Sequence, residues 1–326
     1  MIYPPVITAV SSMRAWRQGQ FTAGRSVALV PTMGALHEGH LSLIRSAAAH
    51  HPNVVVSIFV NPAQFAPHED LNSYPRTMAT DMQRLVGLNI EFAKSKSPGA
   101  ITAIFTPMVA DMYPSGIPLE VDQQSGAFVS VTPLSERLEG VARPHFFRGV
   151  ATMCVKLFNI VQPQEAYFGQ KDVQQTVVIK KVLRDLHFPT QLKVVETVRE
   201  EPDGLAMSSR NVYLTGKRRQ VAPCLYQALK AAEEAYVKEV ANGAKTVDRK
   251  VLVRPAEEIL KNAGALEGIA VETDYLSVAS VDSLDELENI DVSEGAIISG
   301  AVKIPSTEDG ERPVRIIDNL ILEGRR

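Results

Sequence analysis

Val27-Ala28-Leu29-Val30, continuing as Pro31-Thr32-Met33-Gly34-Ala35-Leu36-His37-Glu38-Gly39-His40 and then Leu41-Ser42-Leu43, decides the fold of this chain. The first four residues read as a buried strand, and apolar residues return afterwards at helical spacing (Leu41, Ile44, Ala48). A turn rich in small residues thus joins a strand end to a helix start, where unpaired backbone N–H groups attract phosphate. His37 and His40 stand three apart and share one face if the helix has begun. A helix start whose histidines merely cap or face solvent is the plainer alternative. Two imidazoles at this spacing, after Pro-Thr-Met-Gly, favour phosphate contact and point to nucleotide chemistry.

Outward from this stretch the pattern repeats. Residues 54–60 form a continuous apolar, β-branched run, as a strand covered on both faces requires. With the first strand and the helix between, it makes a βαβ unit with parallel strands and a right-handed crossover. Helices are expected over 77–88, 149–160 and about 173–186, and strands at 104–105, 165–168 and 192–198. The fold class is α/β: a doubly wound parallel, Rossmann-like sheet over residues 1–199. Composition changes after Arg199. Helix-forming, charged residues fill 217–242, the segment 248–263 follows, and strand-like runs lie at 274–278, 296–298 and 314–318. Residues 200–326 therefore read as a smaller α+β domain. Two polar segments rich in turn formers, 93–103 and 305–313, read as exposed insertions.

Bulk properties exclude several classes. The chain has 326 residues, with 34 basic against 37 acidic side chains and a formal charge of −3. No general attraction to nucleic acid or an anionic membrane follows, so an anionic ligand needs a local site. Cys154 and Cys224 are far apart and lack a metal-ligand pattern, which reads as a reducing compartment. No secretory signal, peroxisomal tripeptide or membrane-length apolar run is seen, so a cytoplasmic location is expected.

Further constellations carry chemistry. Asn61-Pro62-Ala63-Gln64-Phe65 stands at the carboxyl end of the most apolar strand, and Gln64 offers amide donors and an acceptor to a hydroxyl or carboxylate. A simple Asn-Pro turn is the alternative. Gly169-Gln170-Lys171-Asp172 repeats the strand-to-helix logic, with Lys171 as a charge for phosphate, Asp172 as a ribose acceptor, and Gln174 and Gln175 on the next helical turn. Asp203-Gly204-Leu205-Ala206-Met207-Ser208-Ser209-Arg210-Asn211 offers two hydroxyls and a guanidinium to a polyphosphate, as a mobile flap opposite the histidines, with a surface turn bearing a chance Ser-Ser-Arg as the alternative. Arg137, Arg143, His145 and Arg148 could line an anionic pocket or simply be solvated. Asp81, beyond Tyr74-Pro75-Arg76-Thr77, is a candidate for a water-mediated metal contact.

A His-x-x-His turn with a Met-Ser-Ser-Arg flap on a doubly wound sheet resembles the nucleotidylyl-transferase superfamily, which shares its handling of ATP with class I aminoacyl-tRNA synthetases. The ordered blocks narrow this further. Val-Pro-Thr-Met-Gly-Ala-Leu-His-Glu-Gly-His, Ser-Ile-Phe-Val-Asn-Pro-Ala-Gln-Phe, Tyr-Pro-Arg-Thr, Arg-Pro-His-Phe-Phe-Arg-Gly-Val, Gly-Gln-Lys-Asp and Gly-Leu-Ala-Met-Ser-Ser-Arg-Asn together resemble the pantothenate synthetases, or pantoate–β-alanine ligases. The likeness is dense over about 26–214 and thin thereafter. It implies that the pantoate carboxylate attacks ATP, giving pantoyl adenylate and pyrophosphate. β-Alanine then displaces AMP to give pantothenate. Mg²⁺ is implied on the ATP phosphates, and a homodimer as the assembly.

By motif, the resemblance places Met33, Gly34, Ala35, Leu36, His37, Glu38, Gly39 and His40 at ATP. Gly169, Gln170, Lys171, Asp172 and Val198 (near adenine) join them, with Met207, Ser208, Ser209 and Arg210 on the polyphosphate. Catalytic weight falls on His40, His37, Lys171, Ser208, Ser209 and Arg210. Pantoate and β-alanine fall to Gln64, Gln175, Pro31, Thr32 and Met33. His40 matches a proton donor but reads first as a phosphate contact, since displacement by a carboxylate needs no base. The smaller domain is implied as a lid, and the two polar segments resemble a eukaryotic, fungal version. A transferase acting on a phosphate ester would need a second cationic pocket, whereas Gln64 and Gln175 suit an uncharged hydroxyl acid. A non-catalytic ATP-binding regulator is disfavoured by the presence of His37, His40, Lys171 and Arg210 together.

Overall fold

The computed structural model describes residues 2–67, 69, 71–265, 268–308 and 311–325. The chain divides into two compact units, Met1–Gln170 with Gln174–Glu196, and Lys171–Val173 with Thr197–Arg326.

In the first unit six strands form one sheet: β1 (Val6–Ile7), β2 (Val27–Thr32), β3 (Asn53–Ile58), β4 (Ala100–Phe105), β5 (Glu165–Gly169) and β6 (Gln191–Val195), in the order β1-β4-β3-β2-β5-β6. Every neighbouring pair is parallel. The helices are α1 (Val10–Thr22), α2 (Glu38–His50), α3 (Met78–Ser95), α4 (Val109–Met112), α5 (Glu139–Ala142), α6 (Phe146–Val161) and α7 (Val173–Asp185). Alternate strand residues go to opposite faces. Ala28, Val30, Val54 and Val56 pack with Ile44 and Ala47 of α2 and Leu85 of α3. Val27, Leu29, Val55 and Phe168 pack with Met13 of α1, Leu157 of α6 and Ile179 of α7. A strand covered on both faces has no polar side, hence the unbroken apolar runs. Each large aliphatic side chain buried this way contributes roughly 1.5–3 kcal/mol.

The sheet places the site. From β2 the chain moves through α2 to β3 and β4, and later fills the other flank with β5 and β6. The order reverses beside β2, and ligands of open α/β sheets bind beyond the carboxyl ends of strands at such a point. The turns that follow β3, β2 and β5 therefore stand side by side at one edge.

Two expectations need correction. Residues 93–103 are not an exposed insertion: α3 runs to Ser95, Lys96 closes it with a left-handed backbone (φ 55), and β4 begins at Ala100. Only residues 96–99 connect them. Gly99 is required there, since a Cβ would lie 1.8 Å from the His51 carbonyl oxygen. The Lys-Ser composition belongs to a last helical turn rather than to a loop. The helical stretch 217–242 is two helices, α8 (Gly216–Val221) and α9 (Cys224–Ala241), parted at Pro223. Residues 305–308 and 311–313 are irregular, as a loop should be, while 309 and 310 lie outside the described residues.

The second unit joins β8 (Glu272–Ala279), β10 (Ala296–Ile304) and β11 (Val314–Leu322) in an antiparallel sheet of order β11-β10-β8. A short antiparallel pair, β7 (Thr246–Asp248) and β9 (Asn289–Asp291), accompanies it. Leu225 and Leu229 of α9 and Leu252 of α10 (Arg249–Asn262) share one core with Ile298, Val302 and Ile316. No helix among the described residues is long and apolar enough to cross a membrane.

At the amino end of the parallel sheet a polar cluster ties three strands together. Glu165 at the start of β5 accepts from Tyr167 (2.6 Å), pairs with His51 Nε2 (2.9 Å) and meets Lys193 of β6 (3.2 Å). Ser26 bonds the other nitrogen of His51 at 3.0 Å. Burial alone would raise the Glu165 carboxyl, but the hydrogen bonds from Tyr167, His51 and Lys193 hold it down at about 2. A carboxyl depressed in the folded state stabilises above its unfolded value and loses that contribution as pH falls toward the folded one. Wild-type protein should therefore lose about 2–3 kcal/mol between about pH 4.5 and pH 2 from this group. Glu165→Gln should show a correspondingly shallower slope in urea unfolding across that range. Equal slopes would refute the assignment.

Candidate active site

The turn after β2 is built by a carboxylate from elsewhere in the chain. Asp81, on the first turns of α3 and 2% exposed, accepts from Ala35 N–H (3.0 Å) and Leu36 N–H (2.8 Å). Thr77 Oγ1 donates to the same carboxylate at 3.2 Å. Gly34 (φ 82) and Ala35 (φ 48) lie in the left-handed region, where a side chain costs energy that Gly avoids. A Cβ on Gly34 would stand 3.2 Å from both Asp81 Oδ2 and Ile58 Cγ2. Thr32 completes the bend, donating to Ser57 C=O (2.8 Å) and accepting from Gly34 N–H (3.2 Å). Arg84 donates to the Leu36 carbonyl. Both oxygens of Asp81 hold the turn, a structural role that the expectation of a water-mediated metal contact did not include.

His37 is the N-cap of α2, and the two histidines close a capping box. Gly39 N–H donates to His37 Nδ1 (3.2 Å), and His37 N–H donates to His40 Nδ1 (3.3 Å). The rings lie 4.1 Å apart at 44°. A ring nitrogen that accepts cannot carry the proton, so each neutral imidazole keeps its hydrogen on Nε2 and acts as a donor there. The plainer alternative of capping and the reading of phosphate contact are therefore compatible, through opposite edges of one ring. The backbone reading changes, however. The N–H groups of Ala35 and Leu36 go to Asp81 and those of His37 and Gly39 to the rings, while His40 and Leu41 donate to the His37 carbonyl at 2.8 and 3.1 Å. Those amides are therefore engaged within the turn itself. Glu38 pairs with Arg45, which also reaches Glu91 at 2.9 Å.

Beyond β3, Asn61 caps the short turn Pro62–Gln64 and donates to Gln64 Oε1 at 2.8 Å. Beyond β5, the two glutamines of α7 separate in role. Gln174 is buried and holds the chain around α5, accepting from Glu139 N–H (3.0 Å) and donating to the carbonyls of Leu134 (2.9 Å) and Arg137 (2.7 Å). Gln175 is half-buried and its side chain makes no hydrogen bond among the described residues. The sheet thus sets the turn 31–40, Gln64 and Gly169 with Gln175 at the carboxyl ends of three adjacent strands.

In the second unit Lys171 pairs with Asp172 at 3.3 Å, and Asn319 of β11 donates to the Lys171 carbonyl at 2.9 Å. The segment bearing Met207, Ser208, Ser209 and Arg210 rises from a braced hairpin. Met207 N–H donates to Val198 C=O at 3.0 Å, and Arg199 and Ala206 form a bridge. Arg199 grips Asp318 at 2.6 Å and stacks 3.9 Å from the Tyr226 ring. Arg219 binds Glu200 (2.8 Å) and Asp203 (2.6 Å) together. Asn211 donates to Glu200 (2.7 Å) and to Ala206 C=O (3.1 Å). Ser208 Oγ accepts from Arg210 N–H at 3.2 Å.

The arginines after Leu138 do not form an open anionic pocket. Arg143 is engaged by Glu69 through two bonds, at 2.7 and 2.8 Å, and stacks on Phe146 at 3.9 Å. Arg148 bonds Gln124 at 2.5 Å and lies 3.6 Å over Phe128. Sequence reasoning missed Asp81 as the anchor of the turn, because its partners lie 45 and 46 residues away and no local pattern links them. It also missed the Tyr113 hydroxyl bonded to Asn61 at 2.7 Å.

Comparison with known proteins agrees with this arrangement. The family model described as pantoate-beta-alanine ligase matches residues 5–321. A pantothenate synthetase of Roseiflexus castenholzii is 45% identical over 98% of this chain and 99% of its own. A pantoate–β-alanine ligase of Saccharomyces cerevisiae is 41% identical over 97% and 99%. A bacterial and a fungal protein thus match over nearly their whole lengths, so the two polar segments do not assign the chain to a eukaryotic source. Among solved structures, the pantothenate synthetase of Thermus thermophilus superposes with a TM-score of 0.76 at 38% identity, covering 97% of this chain and 98% of that one. The Francisella tularensis pantoate–β-alanine ligase, complexed with beta-gamma ATP and β-alanine, gives 0.69 at 27% identity over 98% and 97%. With a model match spanning nearly the whole chain and relatives above 40% identity, the chain belongs to the pantoate–β-alanine ligase family.

Proposed function

We propose that this chain joins pantoate to β-alanine at the expense of ATP, and that the turn 31–40 is where the nucleotide is activated. The observation that carries the reading is the paired histidines, whose Nδ1 atoms accept within the capping box and whose Nε2–H groups are thereby donors. A carboxylate oxygen of pantoate attacks the α-phosphorus of ATP, and the bond to the bridging oxygen breaks to release pyrophosphate. The amine of β-alanine then attacks the acyl carbon, AMP leaves with the former carboxylate oxygen, and the amine loses a proton.

Neither step needs a covalent protein intermediate, so the chain's part is to hold the reactants and stabilise charge. His37 and His40 donate to phosphate oxygens where negative charge builds. Lys171 and Arg210 add full positive charges, with Ser208 and Ser209 as hydroxyl donors to the polyphosphate. Met33 through His40, Gly169 through Asp172, Val198 and Met207 shape the nucleotide site. Gln64 and Gln175, with Pro31, Thr32 and Met33, hold the hydroxy acid and the amine. Mg²⁺ enters with ATP as part of the substrate; no group of three or more His, Cys, Asp or Glu that could hold a metal occurs among the described residues. A homodimer rests on the family resemblance, and a cytoplasmic location on two free, buried cysteines, as a reducing compartment keeps them.

Incubation with MgATP and pantoate should support pyrophosphate–ATP exchange without β-alanine, and AMP should accumulate once β-alanine is added. Absence of both would refute the reading. His40→Ala should lower kcat by about 10²–10³-fold, the cost of removing one preorganised donor. Its folding stability should fall only by about 1 kcal/mol, as loss of a helix cap predicts. Near wild-type turnover in this variant would remove His40 from the role given to it.

A further inference from the structure

The amide of Gln64 is committed by a buried chain of hydrogen bonds that begins at Tyr113. Asn61 is 1% exposed, and all four of its side-chain valences are filled. Its Oδ1 accepts from the Tyr113 hydroxyl (2.7 Å) and from Ala63 N–H (3.3 Å). Its Nδ2 donates to Gln64 Oε1 (2.8 Å) and to Gly149 C=O (3.1 Å). Reversing the Asn61 amide would set its NH2 against the Ala63 N–H and its oxygen against two acceptors, so the orientation is determined. Helix α6 can come this close only because residue 149 is glycine; a Cβ there would lie 2.2 Å from the Ala63 carbonyl oxygen.

Tyr113 is itself fixed. It is 4% exposed, follows the short helix α4, and carries the Lys156 ammonium 3.9 Å over its ring. Burial raises its hydroxyl well above the usual tyrosine range, against the opposing effect of the Asn61 bond, so it stays an O–H donor. The consequence falls on Gln64. With Oε1 aimed at Asn61, the NH2 is turned the other way and makes no hydrogen bond among the described residues.

We infer that Tyr113 is a positioning residue for the hydroxy acid: acting through Asn61, it fixes the orientation of the Gln64 amide, so that its NH2 is presented to an oxygen lone pair of the substrate. This rests on the assignment of Gln64 to pantoate made above. A substrate that must donate a hydrogen bond to that end of the amide would meet N–H groups and bind more weakly.

Tyr113→Phe removes one oxygen and tests the relay. The KM for pantoate should rise about tenfold, the worth of one well-placed hydrogen bond. The KM for ATP and kcat should stay within about twofold of wild type, because neither depends on the Gln64 amide. A merely structural role for the hydroxyl would lower thermal stability without this split. The double-mutant cycle separates the two directly. In a Gln64→Ala background, adding Tyr113→Phe should leave the pantoate KM unchanged. An unchanged pantoate KM in Tyr113→Phe, or a rise of equal size in both backgrounds, overturns the inference. Asn61→Asp provides a second route should Tyr113→Phe fold poorly. Its carboxylate cannot donate to Oε1, so the pantoate KM should rise at least as far, and an unaltered value counts against the relay. Wild-type turnover measured alongside tells the two failures apart, since its absence overturns the pantoate reading and this inference together.

Discussion

One carboxylate holds the turn after β2 in place. Asp81 takes the successive N–H groups of Ala35 and Leu36 while it is buried under the start of α3. A buried carboxylate is costly unless hydrogen-bonded, and here the turn supplies those bonds while the carboxylate fixes the turn. Everything downstream inherits this. The left-handed backbone at Gly34 and Ala35 sends the chain into α2 with His37 at the cap position, and the cap sets the tautomer of both rings. The fold thus determines which ring nitrogen accepts within the cap. In the role proposed for these histidines, donors fixed in this way would need no reorientation as charge develops.

The same economy recurs around Gln64. Asn61 and Tyr113 fix the orientation of its amide, as Asp81 and the capping box fix the histidine rings. Both sites use buried, fully bonded polar side chains to aim a half-buried one. Gln174 and Gln175 show the contrast within a single helical turn: one is wholly engaged with the backbone around α5, and its neighbour makes no side-chain hydrogen bond among the described residues. In the second unit, Arg199 and Arg219 brace the hairpin below Met207–Arg210 by the same means, with paired carboxylates in place of amides.

Much of this was legible in the sequence, for identifiable reasons. The strands at Val27–Thr32 and Asn53–Ile58 announce themselves because both faces are covered and no polar alternation interrupts them. The turn residues 31–40 and the motifs after β3 and β5 stand at strand ends, where chemistry is expected. Strand β1 has two residues and β7 and β9 three each, too few to show a period. Helix α1 buries Arg17 along with Met13, so its stripe is poorly apolar. Capping by the histidines was open to a sequence reading, but its reciprocal form was not, because the box is made of two histidines where Ser or Thr with Glu is the usual signature. Residues 93–103 misled because a charged helical end and a tight Gly connection have the composition of a loop. Contacts such as Asp81 with Leu36, or Tyr113 with Asn61, span 45 and 52 positions and belong to the folded state alone.

The central claim is that the pantoate carboxylate becomes bonded to the α-phosphorus of ATP in a site built around the capped histidines. Pantoate labelled with ¹⁸O in its carboxylate tests it most directly. With ATP and β-alanine present, mass spectrometry of the released AMP should find one ¹⁸O per phosphate, delivered when the acyl–oxygen bond breaks. AMP carrying no label would mean that the carboxylate never met the α-phosphorus, and would contradict the account.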